Sequence, residues 1–131
     1  MLHIDLYSFG YHRSGIPQDP SGNGGGFVFD CRVLPNPGRE ARYANRSGLD
    51  DDVREFLEGR SETAEFLTHA IAMIERTAHA YVARGFSHMQ VCFGCTGGQH
   101  RSVFCAEQAV RILRQFDFHV TVTHTEREAW Q

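Results

Sequence analysis

Gly94-Cys95-Thr96-Gly97-Gly98-Gln99-His100-Arg101-Ser102 joins two stretches of different period. Before it, Met89, Val91 and Phe93 alternate, which predicts a strand; after it, Val103, Ala106, Val110 and Leu113 recur at helical spacing. A Gly pair between strand and helix lets backbone amides converge without Cβ clashes. The helix N-terminus adds free N–H groups and partial positive charge. Arg101 offers a planar fork, and Thr96 and His100 offer hydrogen-bond donors. Together these predict a cradle for an oxyanion, most naturally phosphate, with Arg101 as its main cation. Arg101 is expected to face the pocket, so that Arg101→Ala weakens binding and spares the fold.

Outward from this loop the chain alternates strands and helices. Leu2, Ile4 and Leu6 alternate with His3, Asp5 and Tyr7, a first strand over Met1 to Phe9. Gly10 to Gly26 reads as a mobile loop, with Pro17, Pro20 and the Gly22 to Gly26 run. Phe27 to Val33 reads as a second strand with Phe27, Phe29 and Cys31 on one face, stopped by Pro35 and Pro37. A polar loop with Arg39, Arg42 and Arg46 follows. Asp50 is placed to cap a short helix ending near Gly59, and Ser61 to cap a longer one ending at Gly85. Phe118, Val120 and Val122 give a last strand before a polar tail with Trp130. His69, His79 and His88 read as surface residues. The order predicts a single α/β domain over 1–131, with a mixed, partly parallel sheet flanked by helices. In such sheets ligands sit beyond the carboxyl ends of the strands, where the Gly94 to His100 loop lies.

A chain of 131 residues with 41% hydrophobic content suits one globular domain. All 13 basic residues are Arg, against 16 acidic ones, a formal charge of -3. The absence of Lys excludes a Lys-bearing P-loop nucleotide site and Schiff-base chemistry. The net charge gives no global attraction to nucleic acid or an anionic membrane. Arg13, Arg39, Arg42 and Arg46 could still form a local basic face, with Tyr11 and Tyr43 as the aromatics for base stacking. No secretory or membrane-spanning apolar run is seen, so a cytoplasmic protein with reduced thiols is expected, with no membrane partner. Cys92 and Cys95 are spaced C-x-x-C, but their odd offset on a strand turns them to opposite faces, and no second pair follows at zinc spacing. No metal or cofactor is expected. Cys95 and Arg101 also match C-x5-R, the spacing of cysteine phosphatases, in which a thiolate attacks phosphorus. Gly94 precedes the Cys where those enzymes usually have His, and their general-acid Asp has no assigned counterpart beyond Asp30 or Asp19.

Ser8-Phe9-Gly10, Gly15-Ile16-Pro17, Phe27-Val28-Phe29-Asp30-Cys31-Arg32, Leu34-Pro35-Asn36-Pro37, Gly48-Leu49-Asp50 and the Gly94 to Ser102 string fall in one order. In this order they resemble the C-terminal domain of the RapZ family, the bacterial RNase adapter proteins, from about Leu2 to His124. The resemblance implies a fold like a phosphofructokinase subdomain, self-association, binding of small RNAs, and sensing of an amino-sugar phosphate without catalysis. It implies Thr96, Gly97, Gly98, His100, Arg101 and Ser102 as the phosphate end of a ligand pocket. Asp30, Arg32 and Asn36 would form the facing wall. The sequence departs from the family at Gly38, where His is frequent, and in the Gly22 to Gly26 insertion. It also carries Glu126 and Glu128 where RNA-binding members have Lys and Arg. Trp130, near a polar terminus, is a candidate interface anchor.

Overall fold

The computed structural model describes residues 1–131. Four strands, β1 (His3–Gly10), β2 (Gly26–Asp30), β3 (His88–Cys95) and β4 (His119–His124), form one sheet in the order β2-β3-β1-β4. Helices α1 (Asp51–Glu58) and α2 (Ser61–Ala83) connect β2 to β3, and α3 (Arg101–Leu113) connects β3 to β4. The α/β class stands as expected, and the sheet is parallel in all three pairings rather than mixed. The helix-free connection from β1 to β2 gives no sequence cue to strand direction. In the fold it crosses one face of the sheet, where the Gln90 side-chain amide donates to Pro17 O at 3.1 Å.

Alternation decides which strand residues face the helices. Leu6 lies opposite Val91 and Val122 in register, so the apolar set of each strand reaches the same face. Leu2, Ile4, Leu6, Met89, Val91, Phe93 and Val120 pack there with Ile74, Ala78, Phe104, Ala106 and Leu113 in one core cluster. On the other face, Gln90 and Cys92 of the central strand β3 are buried as well. Both faces of β3 are thus covered, as a central parallel strand requires.

Several expected boundaries shift for local reasons. β2 ends at Asp30, whose carboxylate accepts the Arg32 N–H at 2.9 Å and turns Cys31–Val33 into a short 3-10 turn. Asp50 precedes α1, but its carboxylate accepts from Ser47 N–H at 2.7 Å instead of a helical amide. Ser61 is the first residue of α2 and Arg60 holds the cap position. α2 closes as expected: Gly85 N–H donates to Val82 O and Phe86 N–H to Tyr81 O, with the Tyr81 and Phe86 rings 4.9 Å apart. His88 is not a surface residue. It bridges Asp5 at 2.8 Å and Ser21 at 2.9 Å. The Gly22 to Gly26 run is organised by Asp19, which accepts from the Ser21 and Gly24 amides. No helix is long and apolar enough to cross a membrane.

Candidate functional site

β3 delivers Cys95 to the carboxyl edge of the sheet, and α3 starts at Arg101, so the chain must reverse within Thr96–His100. Gly98 makes this possible. Its φ is +74°, and a Cβ there would stand 2.7 Å from Gly10 N and 2.6 Å from Glu126 Cγ. Gly94 is required for space: a Cβ would lie 2.4 Å from the Phe9 ring. The loop therefore sits directly on the end of β1. The backbone N–H groups of Gly97, Gly98, Gln99, His100 and Arg101 donate to no atom of the chain. Five successive amides without an acceptor thus lead into the start of a helix, the positive end of its dipole.

Beside it opens a cavity of about 240 Å³, lined by Thr96, Gly97, His100, Arg101 and Asn36, together with Cys95, Arg13, Gln99 and Gln131. Arg101 is 6% exposed. Its Nη1 donates to Arg32 O and Leu34 O, both at 3.1 Å, and its Nη2 to Thr96 Oγ1 at 3.4 Å. It pairs with no carboxylate: Asp30 is taken by Arg32 and Glu107 by His124. The guanidinium thus lines the cavity and also ties the segment after β2 to α3. This corrects the expectation that the fold is indifferent to it. A buried cation without a counter-charge is costly, and an anion in the cavity would supply the missing partner.

His100 donates from Nε2 to Tyr43 O at 2.8 Å; a carbonyl only accepts, so Nε2 carries the proton. Burial pushes its imidazole below its ordinary pKa, the Tyr43 and Arg46 carbonyls oppose this, and Arg101 adds to the depression. His100 is therefore neutral at pH 7, with Nδ1 unprotonated, and is not a ready-made donor to phosphate. Asn36 lines the cavity while its Oδ1 accepts from Gly38 N–H at 3.0 Å. A Cβ on Gly38 would lie 3.1 Å from the His100 ring, so Gly38 leaves room for that imidazole.

Four expected site residues do not line the cavity. Ser102 is buried and its N–H and Oγ meet Cys95 Sγ at 3.5 and 3.1 Å. Gly98 shapes the loop from behind. Asp30 and Arg32 form a two-bond ion pair at 2.9 and 2.7 Å on the surface, with the Arg32 guanidinium 4.0 Å over the Tyr11 ring. Conversely, Arg13, Gln99 and Gln131 join the site from elsewhere in the chain. Arg13 stood out in the sequence only as one of several loop arginines. Of the others, Arg42 pairs with Glu40 and stacks on Tyr43, and Arg46 pairs with Asp50 and Asp52. Tyr43 is buried. Both aromatics considered for base stacking are thus already occupied by arginines.

Cys95 is 3% exposed at the cavity floor, and no carboxylate lines the cavity. All four cysteines are free, and no group of three or more His, Cys, Asp or Glu side chains is placed to hold a metal ion. A larger groove, about 390 Å³, lies between β2 and α2; its apolar lining of Phe29, Leu34, Phe66 and Met73 offers an anion nothing.

The chain matches the family described as the RapZ C-terminal domain over residues 2–128. It is 39% identical over 125 residues to a nucleotide-binding protein of Citrifermentans bemidjiense, covering 95% of this chain and 42% of that protein. A nucleotide-binding protein of Methylococcus capsulatus is 36% identical over 126 residues, with 96% and 41% covered. One of Solibacter usitatus is 36% identical over 125 residues, with 95% and 37% covered. The chain therefore spans about two fifths of the length of these relatives. Matched from Leu2 to Glu128, and built around the loop that carries the resemblance, the chain belongs to the RapZ C-terminal domain family.

Proposed function

We propose that this domain is a non-catalytic receptor for a small phosphorylated metabolite, of the amino-sugar phosphate class, whose phosphate sits on the Gly97 to Arg101 amides. One observation carries the reading: a buried, unpaired Arg101 guanidinium adjoins five free amides at a helix N-terminus. The non-phosphate part of the ligand would meet Asn36, Gln99 and Gln131, an amide-rich lining suited to hydroxyl groups. The relatives' name suggests a nucleotide. Against a base, the lining has no aromatic face apart from the His100 edge, and about 240 Å³ is below the usual size of a drug-sized pocket. Against phosphatase chemistry, the cavity has no carboxylate to act as general acid. An RNA role would rest on loop arginines of which Arg42 and Arg46 are already paired.

Thermal-shift titration with glucosamine 6-phosphate, adenosine monophosphate and inorganic phosphate tests the reading. Sugar phosphate should raise Tm most, inorganic phosphate less, with weak salt dependence. A nucleotide that stabilises more than the sugar phosphate would overturn the ligand class.

A further inference from the structure

The segment after β4 reads in sequence as a polar tail, yet it folds back along the anion site. The N–H and hydroxyl of Thr125 donate to Ser8 O at 3.0 and 2.9 Å. Glu126 follows and is 5% exposed. Its carboxylate accepts from Gly10 N–H at 3.0 Å, Ser14 N–H at 3.1 Å and the Ser14 hydroxyl at 2.8 Å. Burial raises its pKa, but these donors outweigh burial and hold the carboxyl below the ordinary Glu value. On the far side of the loop, Trp130 Nε1–H donates to Gly98 O at 2.9 Å.

The donors that Glu126 collects bracket one turn. Arg13 N–H and Gly15 N–H both return to Gly10 O, at 3.1 and 3.0 Å, closing Gly10–Gly15 with Arg13 at its apex. Arg13 meets no carboxylate, whereas Arg32, Arg42, Arg46 and Arg54 each do. Its side chain lines the anion cavity, and Nε lies 3.9 Å from the point a Cβ on Gly97 would occupy.

We propose that Arg13 is the second cation of the anion site and that Glu126 is its positioning residue, fixing the turn from which Arg13 reaches over the phosphate loop. This rests on the anion-binding reading above. A carboxylate so close to an anion site should repel the ligand through its field. Here the carboxylate stays ionised, but the donor dipoles of Gly10 and Ser14 that point at it offset part of its field, so that what Glu126 chiefly contributes to the cavity is the geometry of the turn. The two effects have opposite signs, which makes the assignment testable.

Inorganic phosphate is titrated calorimetrically into wild type, Arg13→Ala, Glu126→Ala and the double variant, with Tm measured for each. Arg13→Ala should weaken phosphate binding about fivefold to tenfold, as loss of a partly exposed charge-assisted contact does. Glu126→Ala should weaken it several-fold, and the double variant should bind no more weakly than Arg13→Ala alone, because the two act as one unit. Tighter or unchanged binding by Glu126→Ala, or losses that multiply in the double variant, would overturn the positioning role. Arg13→Ala binding like wild type would overturn this proposal alone. A wild type that binds no phosphate would overturn the anion reading and this proposal with it. If Glu126→Ala does not fold, Ser14→Ala, which removes a hydroxyl that anchors the same turn, carries the same cycle with the same outcomes.

Discussion

Replacing Arg101 by Ala should act on stability and on binding at once, and the two effects can be separated. In the fold, the guanidinium satisfies the carbonyls of Arg32 and Leu34 at 3.1 Å each. Stranding the buried Leu34 carbonyl costs about 1–3 kcal/mol, and the part-buried Arg32 carbonyl adds less. Removing a desolvated, unpaired cation returns part of that loss. A net destabilisation of about 1–3 kcal/mol follows, or a fall in Tm of roughly 5–10 °C for a domain of this size. A charge-assisted bond from Arg101 to phosphate contributes about 1.5–3 kcal/mol, so the variant should bind phosphate at least about tenfold more weakly. Melting curves with and without phosphate read both effects: wild type gains Tm with ligand and Arg101→Ala gains little. A variant that melts early yet gains as much Tm from phosphate as wild type would show Arg101 to be structural alone. A variant with unchanged Tm would refute the account of its carbonyl contacts.

Three further expectations follow from the same geometry. Because burial depresses the His100 pKa, the unfolded chain binds more protons below the usual His value of about 6.5. His100 should therefore cost stability as pH falls through that window, and denaturant titrations of wild type against His100→Gln should show the smaller slope in the variant. Cys95→Ser should keep phosphate affinity within a few-fold, and wild type should show no Cys95-dependent turnover of an aryl phosphate; hydrolysis lost in the variant would establish the phosphatase chemistry instead. Gly98→Ala should destabilise strongly, by more than about 2 kcal/mol, since it combines positive φ with contacts at 2.6 and 2.7 Å; a stable variant would contradict the loop geometry.

The strand-loop-helix core of the site was legible because its signals are local. The change of period at Gly94 and the Gly97-Gly98 pair lie within a few residues of one another. The apolar face of the sheet was equally plain from Leu2, Ile4 and Leu6. Sheet direction was not, since the connection from β1 to β2 contains no helix whose presence would force a parallel pair. Asp30 and Arg32 were expected on the pocket wall as part of a strand; the Asp30 carboxylate instead caps the Arg32 amide and pairs with its side chain two residues away. Nothing in the sequence says which competing local bond wins there. Arg13 and Glu126 were the least legible. Glu126 meets Gly10 across 116 residues and Ser14 across 112, so its pattern shows in no sequence window. The same holds for Trp130, which reaches Gly98 across 32 residues and pins the tail to the loop beside the cavity that Gln131 lines.

The central claim is that an oxyanion rests on the amides between Gly97 and Arg101. A titration of isotopically labelled protein with inorganic phosphate, followed by amide chemical shifts in solution, addresses it residue by residue. The account predicts saturable shifts centred on Gly97, Gly98, Gln99, His100 and Arg101, whose N–H groups have no acceptor in the chain. Shifts that fail to saturate, or that centre on the exposed loop around Arg42 and Arg46 while Gly97 to Arg101 stay still, would contradict it.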